Sequence, residues 1–208
     1  MISYSNETLV PHLKQMWNQC FPQDSDGFIN FYFDKVYKNG ESLVYVEDNE
    51  PVAFLQMIPY SLKIGATIYS AGYISGAMTH PDFRKKGYMG QLLNVSFEMM
   101  KENGFDYTFL IPQEEWLVGY YGKFGYQRFV SPALDVLKDF KAYDEHARFL
   151  DTLPNAVLKS EAQFDNIVAV YLADGLELLD SKEKRGMIKK LNLLAKDVTQ
   201  LYLGWMLD

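Results

Sequence analysis

Apolar side chains recur at helical spacing in two stretches near the N-terminus. Over residues 7–20, Leu9, Leu13, Met16, Trp17 and Cys20 fall on one stripe, with Pro11 placed where a first turn tolerates it. Over 27–38, Phe28, Phe31, Tyr32 and Val36 repeat the pattern, predicting a second short helix. The period then shortens to two. Residues 42–64 alternate around the polar run Glu47-Asp48-Asn49-Glu50, as a hairpin would, and 67–80 continue as a strand in which Gly72 and Gly76 admit a close neighbour. The clearest helix spans 87–103: Met89, Leu92, Leu93, Phe97 and Met100 line one face, and Gly104 stands just past its end. A short apolar strand (107–112), a helix (115–124) closed by Gly125, and an extended stretch from Tyr126 follow.

This order predicts an α/β (α+β) fold, a central mixed sheet with helices on both faces. The composition changes near 138–145, which divides the chain into a domain over 1–138 and a small α/β region over 139–208. Within the latter, the residues around Asp174-Gly175 suggest a hairpin and the stretch from Ser181 onward a largely helical segment. So short a region is too small for a secure core of its own. It is expected to dock on the first domain or on a second subunit, which would make a homo-oligomer.

Composition narrows the function. The 15 Tyr and 14 Phe among 208 residues supply a folded core. No apolar run approaches the ~20 residues of a membrane span, and the N-terminus has no basic-then-apolar leader, so a cytoplasmic protein without a membrane partner is expected. The lone Cys20 excludes an internal disulfide and cysteine-pair metal motifs, and no metal is expected. A formal charge of −7 argues against a nucleic-acid partner and mildly favours a cationic co-substrate.

Against that acidic background Arg84-Lys85-Lys86 is the one dense cationic run. It lies in Thr79-His80-Pro81-Asp82-Phe83-Arg84-Lys85-Lys86-Gly87-Tyr88-Met89-Gly90, where a strand ends and a glycine opens a helix. Free N–H groups and the helix dipole favour an anion at such a point, and a glycine lets it approach closely. The segment resembles the acetyl-CoA loop of GCN5-related N-acetyltransferases (GNAT), Arg/Gln-x-x-Gly-x-Gly/Ala. Arg84 and Gly87 match. Met89 stands where the family has Gly or Ala, with Gly90 one place later, a departure common in the Eis-like branch. The resemblance implies acetyl-CoA as co-substrate, its pyrophosphate held by the backbone and side chains of Arg84, Lys85, Lys86, Gly87, Tyr88, Met89 and Gly90. It also implies that Ala77, Met78 and Thr79 pair with the pantetheine arm.

About thirty residues on, Gly119-Tyr120-Tyr121-Gly122-Lys123-Phe124-Gly125-Tyr126 resembles the family's second signature, an aromatic-Tyr pair followed by a hydrophobic residue and Gly-Phe/Tyr. The resemblance assigns Tyr121 the role of proton donor to the departing thiolate. Ordinary pKa values near 10 for a phenol and 8.5 for a thiol make that transfer modest in cost. It also implies that a backbone N–H near Met78 or Thr79 holds the tetrahedral charge. The base that frees the acceptor amine is not fixed by either motif. Glu114 and Glu115 stand nearest in sequence to the chemistry, although a charge pair at a helix start explains them equally; Glu41, Glu47 and His80 are further candidates. His12 and His146 have no companions and suggest structural roles.

The tail segment 197–204 resembles a stretch of the sterol-carrier-like domain of Eis-type enzymes, whose terminal carboxylate serves as a base; this chain ends differently, at Trp205-Met206-Leu207-Asp208. The resemblance as a whole implies a GNAT acyltransferase moving acetyl from acetyl-CoA to a primary amine by direct attack in a ternary complex; a small-molecule amine is the expected acceptor, with an aminoglycoside-like polyamine, an amino acid and a protein lysine left open. Aromatics such as Trp116, Phe28, Phe31 and Tyr32 would line an acceptor cleft or fill a core. Two other classes stay open: a non-catalytic acyl-CoA sensor, and a lipid- or partner-binding module.

Overall fold

In the computed structural model, which describes residues 1–132, 142–173, 184–204 and 206, the predicted alternation of periods becomes an eight-stranded mixed sheet with helices. Strand order is β1-β2-β3-β4-β5-β8-β6, with β7 on β3. The chain groups into two compact units, Met1–Ile58 with Ile74–Met99, and Pro59–Tyr73 with Met100–Asp208.

The first unit begins with an edge strand β1 (Ile2–Tyr4) that the alternation did not reveal, and continues into α1 (Val10–Cys20). Helix α2 (Asp26–Phe31) is capped by Ser25, whose side chain accepts from the Phe28 N–H, and passes into a π-turn over Tyr32–Val36. The hairpin β2 (Ser42–Glu47) and β3 (Glu50–Ile64) turns at Asp48 and Asn49, both at positive φ (51° and 68°), as a two-residue turn with the strand's own twist requires. The core joins Leu13, Met16 and Trp17 to Ile29, Tyr32, Phe33, Tyr37, Val44, Phe54 and Met78. Thus Tyr32 is core, 1% exposed, and the half-buried Phe28 packs against the same cluster.

β4 (Thr67–Thr79) starts in the second unit and ends in the first. α3 (Tyr88–Glu102) follows, burying Leu92, Leu93, Phe97 and Met100 as its stripe predicts. Gly104, at φ +77°, closes it with N–H bonds from Gly104 to Lys101 O and from Phe105 to Met100 O. In the second unit β4 pairs in parallel with β5 (Tyr107–Leu110). A Cβ on Gly72 would lie 2.2 Å from Met100 Sδ, so the close approach expected at Gly72 is made by a side chain.

α4 (Glu115–Gly122) and β6 (Gln127–Ser131) match the expected elements, and α5 (Tyr143–Thr152) and β7 (Asn155–Leu158) follow them. Two expectations fail beyond them. Residues 161–173 form helix α6, not the first arm of a hairpin, because a continuous apolar run fits a buried helix as well as a strand. Lys184–Lys190 is strand β8, not helix, because the edges of β5 and β6 both offer it hydrogen bonds. The Asp174-Gly175 turn and the break near 138 lie outside the described residues, as do Trp205, Leu207 and Asp208. Among the described residues no helix is long and apolar enough to cross a membrane.

His146, 1% exposed, packs on the Phe164 ring at 5.1 Å. Burial, then the nearby Lys159 charge, holds its imidazole down at about 3. The unfolded chain takes up this proton near pH 6.5 while the folded chain stays neutral. The stability from keeping His146 neutral is therefore complete above pH 6.5 and is lost progressively as pH falls toward 3. Between pH 7 and 5 the wild type should lose about 2 kcal/mol that His146→Gln does not, measured by urea unfolding. Equal losses in both proteins would show that His146 titrates normally.

Candidate active site

β4 changes character at Gly76. Its register with β5 covers only Ala71–Tyr73, while the strand itself runs on to Thr79. Gly76 sits at φ +58°, a conformation that costs any residue with a Cβ, and its backbone lies against Trp17 and Phe54. Next to it, the buried Ser75 hydroxyl lies 3.1 Å from Tyr32 Oη, which in turn donates to Gln56 Oε1 at 2.8 Å. Gln56 Nε2 donates to the Val36 carbonyl at 2.9 Å, which fixes the amide orientation and makes Oε1 the acceptor. This chain of bonds ties the π-turn to β3 and to the bend in β4.

Beyond the bend, Met78 is buried while Ala77 and Thr79 are half-buried. The Thr79 carbonyl accepts from Cys20 Sγ at 3.3 Å and from Arg84 Nε at 3.2 Å. Burial pushes the Cys20 thiol up against the opposing pull of Arg84, so it stays a protonated donor. The strand end is also held to β3 by His80 N–H on the Val52 carbonyl. His80 Nδ1 accepts from the Asp82 N–H at 3.3 Å, so this nitrogen caps the short turn Pro81–Phe83.

The loop that follows is exposed from Arg84 to Gly87. Lys85 (φ +64°) and Gly87 (φ +83°) turn the chain so that α3 starts at Tyr88. The Gln91 N–H is bonded back to the Gly87 carbonyl, and the N–H groups of Gly87, Tyr88, Met89 and Gly90 have no acceptor among the described residues. A Cβ at Gly87 would meet nothing within 4 Å, which leaves the helix start open to solvent and to a ligand. Lys86 Nζ lies over the rings of Phe83 (4.6 Å) and Tyr88 (6.0 Å). Sequence reading missed what steadies Tyr88. Its ring stacks on Tyr45 at 4.3 Å and its hydroxyl donates to Glu47, a bond that pushes the phenol up to about 12. Glu47, one of the candidate bases, is thereby committed to Tyr88.

In the second unit, α4 carries Tyr121, 7% exposed, between the rings of Tyr120 (5.3 Å) and Tyr126 (5.9 Å). The Tyr126 hydroxyl is paired with Thr108 Oγ1 at 3.0 Å. The Tyr121 hydroxyl has no acceptor among the described residues, and burial raises its pKa well above the usual phenol range. Glu114 accepts from the Trp116 indole and Glu115 pairs with Arg128, so both candidate bases already hold neighbours. Trp116 itself is 64% exposed. A cavity of about 370 Å³ opens at the end of β5, walled by Ile111–Glu115, Val118, Arg128 and Lys184–Met187.

A family profile for the acetyltransferase (GNAT) domain matches residues 1–129. The chain belongs to the GNAT acetyltransferase family. Solved GNAT structures share its fold at low sequence identity. A GCN5-related N-acetyltransferase from Kribbella flavida superposes with a TM-score of 0.60 at 18% identity, covering 78% of this chain and 47% of that one. Eis1 from Mycobacterium abscessus gives 0.65 at 12% identity, covering 85% and 50%. A GNAT N-acetyltransferase from Escherichia coli, solved with CoA, gives 0.55 at 11%, covering 97% and 89%. The chain thus spans about half the length of the Kribbella and Mycobacterium proteins. No curated protein matches the sequence.

In this GNAT chain all the residues from Ala77 to Gly90 that the loop motif singled out lie in one unit, on the bent strand and the open helix start. Tyr121, Glu114 and Glu115 lie together in the other, on and just before α4. The bend makes a direct prediction. A Cβ on Gly76 would stand 2.8 Å from Trp17 Cζ3 and 3.2 Å from Phe54 Cε1. Gly76→Ala should cost about 2–4 kcal/mol in urea unfolding, combining the left-handed backbone with overpacking. An unchanged midpoint would mean that the bend relaxes freely.

Proposed function

We propose that the chain is an acetyl-CoA-dependent N-acetyltransferase acting on a primary amine, with Tyr121 as the proton donor to the CoA sulfur. The observation that carries this reading is the open start of α3, with four N–H groups lacking an acceptor behind a basic loop in an acidic protein. Such a point suits a diphosphate, and CoA is bound by the Escherichia coli relative. Membership of the GNAT family supports the same co-substrate.

Acetyl-CoA, when bound, supplies an acetyl thioester. The chain's residues do the rest. Amides of Gly87–Gly90 and the cations of Arg84 and Lys85 hold the diphosphate, and the strand end at Ala77–Thr79, clear of the β5 ladder, offers peptide groups to the pantetheine amides. The acceptor nitrogen, deprotonated, attacks the carbonyl carbon; a C–N bond forms, the C–S bond breaks, and its electron pair leaves on sulfur. The Tyr121 O–H gives its proton to that sulfur and recovers one from solvent, while the nitrogen sheds its extra proton to a base. Glu114 and Glu115 remain the candidates for that base, each through the face not held by Trp116 or Arg128.

Tyr121→Phe should lower kcat at least about tenfold while leaving the KM for acetyl-CoA within about twofold. Damage confined to KM would remove the phenol from the donor role. Because burial keeps Tyr121 protonated, activity should climb with pH as the amine loses its proton and show no fall below about pH 10 that depends on Tyr121. The double variant Arg84→Ala with Lys85→Ala should weaken CoA binding in calorimetry by about tenfold or more. Wild-type affinity in that variant would refute the cradle.

A further inference from the structure

The open start of α3 has a neighbour that the proposed reaction does not use, the tip of the β2–β3 hairpin. Resting on that reading, we infer that Tyr45 and Glu47 are positioning residues for acetyl-CoA: they fix Tyr88, and through it the helix start that holds the diphosphate. The tip is built to be stiff. Asp48 and Asn49 both turn at positive φ, and Glu47 pairs directly with Glu50 across the turn. Just behind it the register slips: Tyr45 pairs with Ala53 but Val46 with Pro51, which leaves Val52 of β3 as a bulge without a partner on β2. The Val52 carbonyl accepts instead from the His80 N–H at 2.9 Å, where β4 gives way to the loop.

Tyr45 and Glu47 stand two residues apart on β2, so they share a face, and both meet Tyr88. The Tyr45 ring stacks on it at 4.3 Å with planes 28° apart, and Glu47 accepts from its hydroxyl. That bond, first of all, pushes the phenol up to about 12, so the donor persists over the pH range in which an amine loses its proton. The hairpin therefore grips the loop at both ends, His80 through Val52 and Tyr88 through Tyr45 and Glu47, all within one compact unit. Lys86 Nζ lies 6.0 Å from the Tyr88 ring, so the same ring also seats a cation of the loop. Tyr88 is the first residue of α3, and its hydroxyl is committed to Glu47. It offers a diphosphate its N–H and not its phenol.

Charge alone predicts the opposite role for Glu47. A carboxylate near an anion site repels the ligand, so deleting it should tighten binding. Positioning makes the deletion loosen it. Calorimetry with CoA on the whole chain separates the two. Glu47→Leu and Tyr88→Phe should each weaken CoA binding about fivefold, and the two together should lose no more than about twofold beyond either alone. Glu47→Gln, whose amide oxygen still accepts from the phenol, should stay within about twofold of wild type. Tyr45→Ala should match Glu47→Leu, while Tyr45→Phe, which keeps the ring, should bind as wild type does. Tighter binding in Glu47→Leu, wild-type affinity in Tyr88→Phe, fully additive losses, or a Glu47→Gln variant as weak as Glu47→Leu overturns the positioning role and leaves the acetyltransferase reading standing. A wild-type chain that binds no CoA overturns the cradle and this inference with it.

Discussion

The left-handed turn of Gly76 is the constraint that the strand end and loop from Ala77 to Gly90 depend on. A β-strand that kept its ladder to the end would satisfy every backbone group within the sheet and offer a ligand nothing. Here the β4–β5 register stops at Tyr73 and the strand bends three residues later, where only a glycine can take φ +58° with Trp17 and Phe54 pressed against it. The aromatic core on α1 and β3 leaves no space for a side chain, and the Ser75–Tyr32–Gln56 bonds hold the residue before the bend. Packing and polar contacts therefore specify the same distortion. A core this close-packed does not deform gradually, so the bend is a fixed feature of the strand.

The loop after β4 shows how an acidic protein builds a place for an anion without a large basic surface. Two of its three cations have partners already: Arg84 spans back to the Thr79 carbonyl, and Lys86 lies over two aromatic rings. Those contacts hold the loop, and the N–H groups of Gly87–Gly90 that follow it have no acceptor among the described residues. The stronger anion-binding element is thus the backbone, with the side-chain charge contributing a field around it. Glu47 close by looks adverse for an anion, yet its carboxylate is engaged by the Tyr88 hydroxyl, whose ring stacks on Tyr45.

What the sequence disclosed follows the range of the interactions concerned. The α3 stripe, the Gly104 stop, the Asp48-Asn49 turn and the Arg84–Gly90 loop are local, and local chemistry determines them. The bend at Gly76 was visible only as a glycine where close approach was expected. Its partners Trp17, Phe54 and Tyr32 are twenty or more residues away in sequence, and Tyr32 was as credible in a cleft as in a core. The charged wall formed by Arg128, Lys184 and Arg185 was invisible for the same reason, because it exists only once β8 enters between β5 and β6. The segment Lys184–Lys190 has no strong intrinsic preference against helix; two waiting strand edges decide its state.

Burial of Tyr121 alters the energetic argument for its role. Ordinary pKa values would make proton transfer from phenol to thiolate uphill by about 2 kcal/mol, and desolvation of the phenolate adds to that. Were a thiolate released beside it, as the proposed role requires, the same desolvation would act on that anion, so the cost would be governed by the difference between two buried anions and not by either value in water. The Tyr121 hydroxyl has no hydrogen-bond acceptor among the described residues, so its donor is uncommitted in the resting protein. In the proposed reaction, a sulfur gaining negative charge is a far better acceptor than the neutral thioester it came from, so the phenol's hydrogen bond would form mainly as the C–S bond breaks. An interaction that strengthens along the reaction coordinate lowers the barrier, whereas one already formed in the resting protein does not.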